Sequence, residues 1–262
     1  MKTAAPLPLD IRMMNMTAAM LLSAVVLVGL GAGVWWWLRH PMFAIHAITV
    51  QGEVTRNNAI TLRANVVPQL QGNFFTLNLD QARQVFEAVP WVRTAVVHRD
   101  FPNRLRAELL EHQPMALWGD DGANTLLNQQ GQVFEANAED PETEDLPRLK
   151  GPVAQSQDVL KMYRYLKPIL AAADMEIERL ELSPRASWRV VTDKGATLEL
   201  GRGSQNEVGE QLQMFLRTLS QVTARYGRTP TALAAADLRH KDGYALRLRG
   251  VSTVEADPRK KP

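Results

Sequence analysis

The pattern of apolar and polar positions changes character three times along the chain. Between Arg12 and Arg39 runs MMNMTAAMLLSAVVLVGLGAGVWWWL, which carries no charged side chain. At about 1.5 Å per residue this stretch is long enough to cross a hydrocarbon core of about 30 Å. It predicts a transmembrane helix over 13–38, after a short tail of residues 1–12. Trp35, Trp36 and Trp37 stand at its far end, where indole rings favour the membrane–water interface, and Arg39 closes it. A cleavable signal peptide ending near Gly31-Ala32-Gly33 is the alternative, but the apolar run exceeds a signal core and has an aromatic anchor beyond it. Lys2 and Arg12 precede the span and Arg39 follows, a bias that places the N-terminus in the cytoplasm and residues 40–262 outside it, in a bacterium the periplasm.

After the span the pattern becomes that of a small α+β domain. FAIHAITVQ (43–51) reads as a strand ended by Gly52. Asn57 or Asn58 then caps a helix carrying Ile60, Ala64 and Val67, closed by Pro68 and Gly72. A second helix starts near Asn78 or Asp80, puts Leu79, Ala82, Phe86 and Val89 on one stripe with Val85 beside them, and stops at Pro90. WVRTAVVHR and NRLRAELLEH follow as strands around the turn signal Asp100-Phe101-Pro102-Asn103, with Leu105, Ala107 and Leu109 alternating against Arg104, Arg106 and Glu108. The predicted order is strand, helix, helix, strand, strand.

From Pro114 short strands dominate. MALW, NTLLN and QVFEA predict a meander; a helix follows over 153–172, strands at 176–182, 187–192 and 196–200, and a helix over 204–226 with Val208, Leu212, Phe215, Leu219 and Val222 on one face. The chain closes on DLRHKDGYALRLRG (237–250). Asp242-Gly243 suits a tight hairpin that pairs a strand from Tyr244 to Arg249 back onto 232–239. Tyr244, Leu246 and Leu248 point to one side of that strand and Ala245, Arg247 and Arg249 to the other. Little chain remains beyond it, so its outer edge is open to strand addition by a partner, with the arginines selecting acidic side chains. The arginines as simple gatekeepers of solubility are the plainer alternative. The terminal residues 255–262 read as a disordered tail.

Composition adds mostly exclusions. Thirty basic and 28 acidic residues give a net charge of +2, too balanced to argue for a nucleic-acid partner, and the absence of cysteine removes disulfides and thiolate chemistry. The five histidines are scattered, with no HExxH and no i, i+4 pair, so no metal or other cofactor is expected. No serine lies in a nucleophile elbow. Gly201-Arg202-Gly203-Ser204 lacks the lysine of a phosphate loop and reads as a strand-to-helix turn with Ser204 as N-cap. The acidic stretch EANAEDPETEDLP, with Glu139, Asp140, Glu142, Glu144 and Asp145, lacks the ordered spacing of a calcium loop and reads as a solvated loop.

VPWVRTAVVHRDFPNRLRAELLEHQPMALW, LELGRGS and ADLRHKDG, following an N-terminal anchor, resemble in order and spacing the FtsQ/DivIB family of bacterial cell division proteins, over residues 16 to about 254. The resemblance implies a POTRA domain at 43–113 and the family's β domain at 114–254, and a non-enzymatic, single-pass inner-membrane scaffold of the division septum. It implies binding of FtsB and FtsL in the periplasm. The FtsB contact falls on His240, Lys241, Asp242, Gly243 and the strand carrying Tyr244, Leu246, Arg247, Leu248 and Arg249, with Arg185 or Arg189 beside Ser187-Trp188 contributing. Relatives carry an aromatic residue after DLR where this chain has His240. Recruitment in the family, including by FtsK, engages the region matching 80–99, here with Val96 and Arg99. Two other readings compete: a membrane-anchored periplasmic cell-wall hydrolase using carboxylates of the acidic loop, and a POTRA-bearing translocation component, for which no membrane-barrel pattern follows.

Overall fold

The computed structural model describes residues 9–53, 56, 59–70, 72–136, 143, 145–240 and 243–251. Contacts divide the chain into two compact units, after Glu111. The architecture is α+β: an apolar N-terminal helix, a β-α-α-β-β unit, and a mixed-sheet unit with two helices.

Helix α1 (Leu9–Leu38) is one 30-residue element, and it starts four residues before the uncharged stretch, taking in Asp10 and Arg12. Its apolar side chains are exposed along its whole length, which suits a transmembrane anchor rather than a core helix. The chain then turns through a 3₁₀ segment (Pro41–Phe43) before strand β1 (Ala47–Glu53) begins, later than the pattern predicts. Phe43 is the reason: it is buried and packs edge-to-face on Trp37 and Phe75, so the chain there follows the aromatic contacts rather than the sheet. Gly52 does not end β1. Its φ of +110° and its position against the Leu109 carbonyl oxygen, where a Cβ would stand 2.1 Å away, make it an obligatory glycine within the strand.

Helix α2 (Ala59–Val66) corrects the predicted stripe. Leu62 and Val66, an i, i+4 pair, face the core, whereas Ala64 and Val67 are exposed. Pro68 draws the chain into a 3₁₀ turn (Val67–Gln69), which rotates Val67 off the helical face. The proposed caps Asn57 and Asn58 lie outside the described residues. Helix α3 (Leu79–Glu87) follows the expected pattern: Asn78 Oδ1 accepts from the Asp80 and Gln81 amides, and Ala82 and Phe86 are buried. Strands β2 (Val92–Asp100) and β3 (Arg104–Glu111) pair antiparallel, and β3 pairs parallel with β1, giving the order β1-β3-β2. Leu105, Ala107 and Leu109 fill the core with Leu62, Phe86 and Val97.

Among the described residues, the second unit is built on one sheet of nine strands. The meander β4 (Pro114–Trp118), β5 (Thr125–Asn128) and β6 (Val133–Glu135) is antiparallel. Strand β7 (Arg148–Lys150) is absent from the sequence-based expectation, because three residues with one apolar side chain leave no readable period. It lies parallel to both β4 and β8 (Ile177–Leu182) and so joins the meander to the rest of the sheet. Then come β9 (Trp188–Thr192), β10 (Thr197–Gly201), β11 (Leu233–Asp237) and β12 (Ala245–Leu248), in the spatial order β12-β11-β10-β9-β8-β7-β4-β5-β6.

Two connections between parallel neighbours run through helices: α4 (Ser156–Ala171) between β7 and β8, and α5 (Gln205–Arg225) between β10 and β11. The two helices pack on one face of the sheet, where Leu166, Leu170, Leu180, Leu198, Leu212 and Phe215 are fully or almost fully buried. Helix α5 begins in a capping box. The Glu207 amide donates to Ser204 Oγ, and Glu207 Oε2 accepts from the Ser204 amide at 2.8 Å. Gly201-Arg202-Gly203-Ser204 is thus the strand-to-helix turn its composition predicts.

Candidate partner-binding edge

The closing strands pair antiparallel as expected, with Leu246 opposite Ala236 and Ala245 opposite Asp237. The connection is longer than a tight hairpin, since β11 ends at Asp237 and β12 starts at Ala245. Lys241 and Asp242 within it lie outside the described residues. The part of this loop that is described is held from below. Gln211 of α5 donates its side-chain amide to the Leu238 carbonyl and, at 3.3 Å, to the carbonyl of exposed His240.

Strand β12 terminates the sheet, and among the described residues no other strand lies along its outer edge. Its two faces differ sharply. Tyr244, just before the strand, stacks edge-to-face on Phe215 at 4.9 Å, with its hydroxyl 2.7 Å from Thr218 Oγ1. Leu246 packs on the core and Leu248 is buried in it. These three side chains therefore fix the strand to its own domain and are spent on that task. What remains for a partner is the backbone edge together with exposed Gly243, Ala245 and Arg247. The extended strand does not reach Arg249. That residue sits in the following turn, where its amide donates to the Ala232 carbonyl at 2.7 Å and its guanidinium to the Lys194 carbonyl at 2.5 Å. It braces the end of β12 against the β9–β10 turn.

A shallow groove of about 540 Å³ adjoins the loop that leads into β12. It is lined by Arg185, Arg189, Arg202 and Arg239, with Glu181 and Glu199. The four arginines are not equivalent. Arg189 donates through Nε to Glu199 Oε1 at 2.6 Å and lies 3.8 Å from Glu181. Arg239 donates to both oxygens of Asp237, from Nε at 2.9 Å and from its terminal nitrogen at 2.5 Å, and its amide donates to Asp237 Oδ1 at 3.0 Å. Those bonds hold the Asp237 carboxyl down to a pKa of about 2 and raise that of Arg239. Arg185 and Arg202, by contrast, are exposed with no polar partner among the described residues.

The turn that carries Arg185 is itself rigid. The Ser183 amide donates to the Ser187 carbonyl, the Ala186 amide to the Ser183 carbonyl, and Ala186 adopts φ +57°. Trp188 lies in the core, 6% exposed, where it supports this turn from beneath rather than facing outward. Gly201 permits the groove to close up: at φ +82°, a Cβ there would stand 3.1 Å from Arg239 Cγ. Arg202 and Arg239 were not singled out from sequence, although both sit within the GRG and DLR runs. The signal was in the motif, but its reason is the meeting of two turns distant in sequence.

The other two predicted contact residues belong to the first unit. Val96 stands half exposed on the outward face of β2, and Arg99 donates to the Leu77 carbonyl at 2.6 Å. Of the carboxylates singled out in the acidic loop, Glu139, Asp140, Glu142 and Glu144 lie outside the described residues, and Asp145 lies within them. Among the described residues no three histidine, aspartate or glutamate side chains come together as metal ligands.

Comparison with known proteins accords with this geometry. Residues 43–112 match the family described as "POTRA domain, FtsQ-type", and residues 116–239 match "Cell division protein FtsQ/DivIB, C-terminal". Cell division protein FtsQ of Thiomonas arsenitoxydans is 38% identical over 255 residues, covering 96% of this chain and 93% of the relative. The chain belongs to the FtsQ/DivIB family. Relatives from Burkholderia pseudomallei and Bordetella pertussis, both named cell division protein FtsQ, are 36% and 35% identical over 92% and 91% of this chain and 94% and 92% of their own lengths. FtsQ/DivIB membership assigns the chain a role in cell division. The C-terminal match stops at Arg239, so the residues that line the groove all fall inside it while β12 lies beyond.

Proposed function

We propose that this chain is a non-catalytic, single-pass scaffold of the division machinery, and that its second unit takes up a segment of FtsB, with FtsL, by strand addition to the outer edge of β12. In this reading the N-terminus is cytoplasmic, the two units stand in the periplasm at the septum, residues 43–113 and 114–254 act as separate domains, and 255–262 form a tail. The observation that carries it is the state of β12: one face fixed by Tyr244, Leu246 and Leu248, the other exposed, and no strand beyond it among the described residues. Main-chain pairing supplies about 1 kcal/mol net per hydrogen bond, and Arg247, Arg185 and Arg202 supply the preference for an acidic segment. Of the two arginines that flank Ser187-Trp188, Arg185 is the better contact, because Arg189 is already held by Glu199 and Glu181. Trp188 and Leu248 act from within, by keeping the turn and the strand in place.

Recruitment through the first unit, including by FtsK, uses the outward face of β2 around Val96. Arg99 contributes by holding the Leu77 carbonyl rather than by reaching a partner.

The test is binding of the detergent-solubilised full chain to the periplasmic segment of FtsB. Arg185→Glu with Arg247→Glu weakens binding and flattens its salt dependence while the circular dichroism and melting temperature stay unchanged. Undiminished affinity in that folded double variant removes the electrostatic half of the proposal. Exchange protection of the β12 amides that does not rise on binding removes strand addition itself.

A further inference from the structure

Phenylalanines gather where α1 meets the first unit, and only some of them are buried. Phe43 and Phe74 are 6% and 7% exposed, whereas Phe75 is 40%, Met42 60% and Phe101 74% exposed. The rings form one continuous edge-to-face series. Trp37 meets Phe43 at 5.2 Å, Phe43 meets Phe75 at 4.9 Å, Phe75 meets Phe74 at 5.1 Å and Phe74 meets Phe101 at 5.9 Å. Polar bonds tie the same segments to the helix end. Asn73 donates its side-chain amide to the Leu38 carbonyl at 2.5 Å, which satisfies a terminal carbonyl of α1, and the Phe74 amide donates to the Phe43 carbonyl at 2.8 Å. The joint between anchor and domain is thus a packed contact, not a free tether.

This fixes what lies next to the exposed rings. Trp35, Trp36 and Trp37 are the interfacial residues of the anchor, and Arg39 stacks over Trp35 at 3.9 Å with its charge at the same level. The rings connect Trp37 to Phe75 in two contacts and to Phe101 in four, so the exposed phenylalanines continue the apolar surface of the anchor's tryptophan end. Aromatic rings favour the headgroup layer over bulk water, which makes an exposed apolar patch joined to an interfacial anchor suited to lipid. Arg104, exposed just after the turn that carries Phe101, adds a cation of the kind that lipid phosphates attract.

We propose that Met42, Phe75 and Phe101 form a membrane-contacting rim, lodged in the interfacial layer at the carboxyl end of α1, which holds the first unit against the bilayer at a fixed angle. The occupant of this apolar patch is the lipid surface. The inference rests on α1 being a membrane span and adds a second point of attachment to it.

The chain has no cysteine, so single labels are clean. Full-length Phe101→Cys and Phe75→Cys, each carrying a nitroxide, are reconstituted into vesicles of phosphatidylethanolamine and phosphatidylglycerol, and collision with oxygen is compared with collision with a water-soluble nickel chelate. Val25→Cys in α1 and Glu108→Cys, on the exposed side of β3 roughly 13 Å along the strand from the turn, serve as lipid and water references. The expected oxygen-to-nickel ratio at Phe101 and Phe75 is several-fold above that at Glu108 and below that at Val25. A ratio at Phe101 equal to that at Glu108, with Val25 in lipid, overturns the rim and leaves the anchor standing; Val25 exposed to nickel overturns both. Phe101 is the deciding site, since it is the most exposed of the rings and meets buried side chains only at Phe74; circular dichroism matching the parent chain confirms that the labelled variant is folded.

Discussion

Strands β2 and β12 both end a sheet and both are attended by arginines, but the two edges are prepared differently. β2 is nine residues long, with Val96 on its outward face; its Arg99 is bound to a carbonyl of its own unit, and its Arg93 turns Nε inward, buried and without a hydrogen-bond partner, so neither offers a free guanidinium as Arg247 does. β12 has only four residues and carries exposed Arg247, while Arg185 and Arg202 line the groove beside the loop that leads into it; none of the three has a polar partner among the described residues. Elsewhere on the nine-stranded sheet basic groups are satisfied: Arg148 and Arg179 share Asp121, at 3.0 and 2.8 Å, and Arg189 has Glu199. An edge whose charges are already matched gains little from an acidic partner, because exchanging one surface ion pair for another is nearly neutral. An edge with unmatched guanidiniums gains attraction and orientation at no such cost. The lesson is that availability, not the presence of arginine, decides whether an edge suits an acidic strand of the kind proposed for β12.

The largest effect expected from testing this contrast comes from beneath β12. Phe215→Ala removes a buried ring that supports Tyr244, and is expected to cost about 3–5 kcal/mol and to abolish FtsB binding at the temperature where the second unit melts. Differential scanning calorimetry beside a binding assay checks it; a stable variant that merely loses affinity would contradict this account of how β12 is held. Next in size, the Arg185→Glu, Arg247→Glu double variant is expected to weaken FtsB binding by about 10-fold or more, whereas Val96→Glu on β2 leaves it unchanged. Equal losses from both would erase the distinction between the edges. Ser204→Ala opens the capping box of α5 and is expected to lower stability by about 1 kcal/mol in urea unfolding, without a direct effect on the groove arginines.

The smallest effect is pH-dependent. The Asp237 carboxyl is depressed in the folded state by its bonds to Arg239, so its contribution is fully present above the usual carboxylate range and is lost as pH falls towards about 2. Arg239 is more than half exposed, so solvent screens the pair and the effect is small. Acid titration of Asp237→Asn against the parent chain should show a difference in stability at neutral pH that closes between about pH 4 and pH 2.

Much of this was legible before any coordinate. The alternation in residues 104–109 gave β3 and its buried face, Asn78 gave the start of α3, and the stripe from Val208 to Leu219 gave the core face of α5. Each is a local period of two or 3.6 residues imposed by one neighbour on one side. The errors share an opposite cause. Val67 kept a helical spacing that Pro68 undid, β1 was displaced by the burial of Phe43, and β7 was too short to carry a period.

The sequence by itself determined the anchor, the alternation of the two units, the antiparallel closing strands and family membership, because each depends on hydrophobicity or backbone preference along a continuous stretch of chain. Only the tertiary structure decided which arginines are free. Arg189 meets Glu199 across two strands, Arg249 meets the Lys194 carbonyl from a distant turn, and Arg185 meets nothing polar among the described residues. Whether a charge is spent or available depends on what folding brings within about 4 Å of it, and no period along the chain encodes that distance.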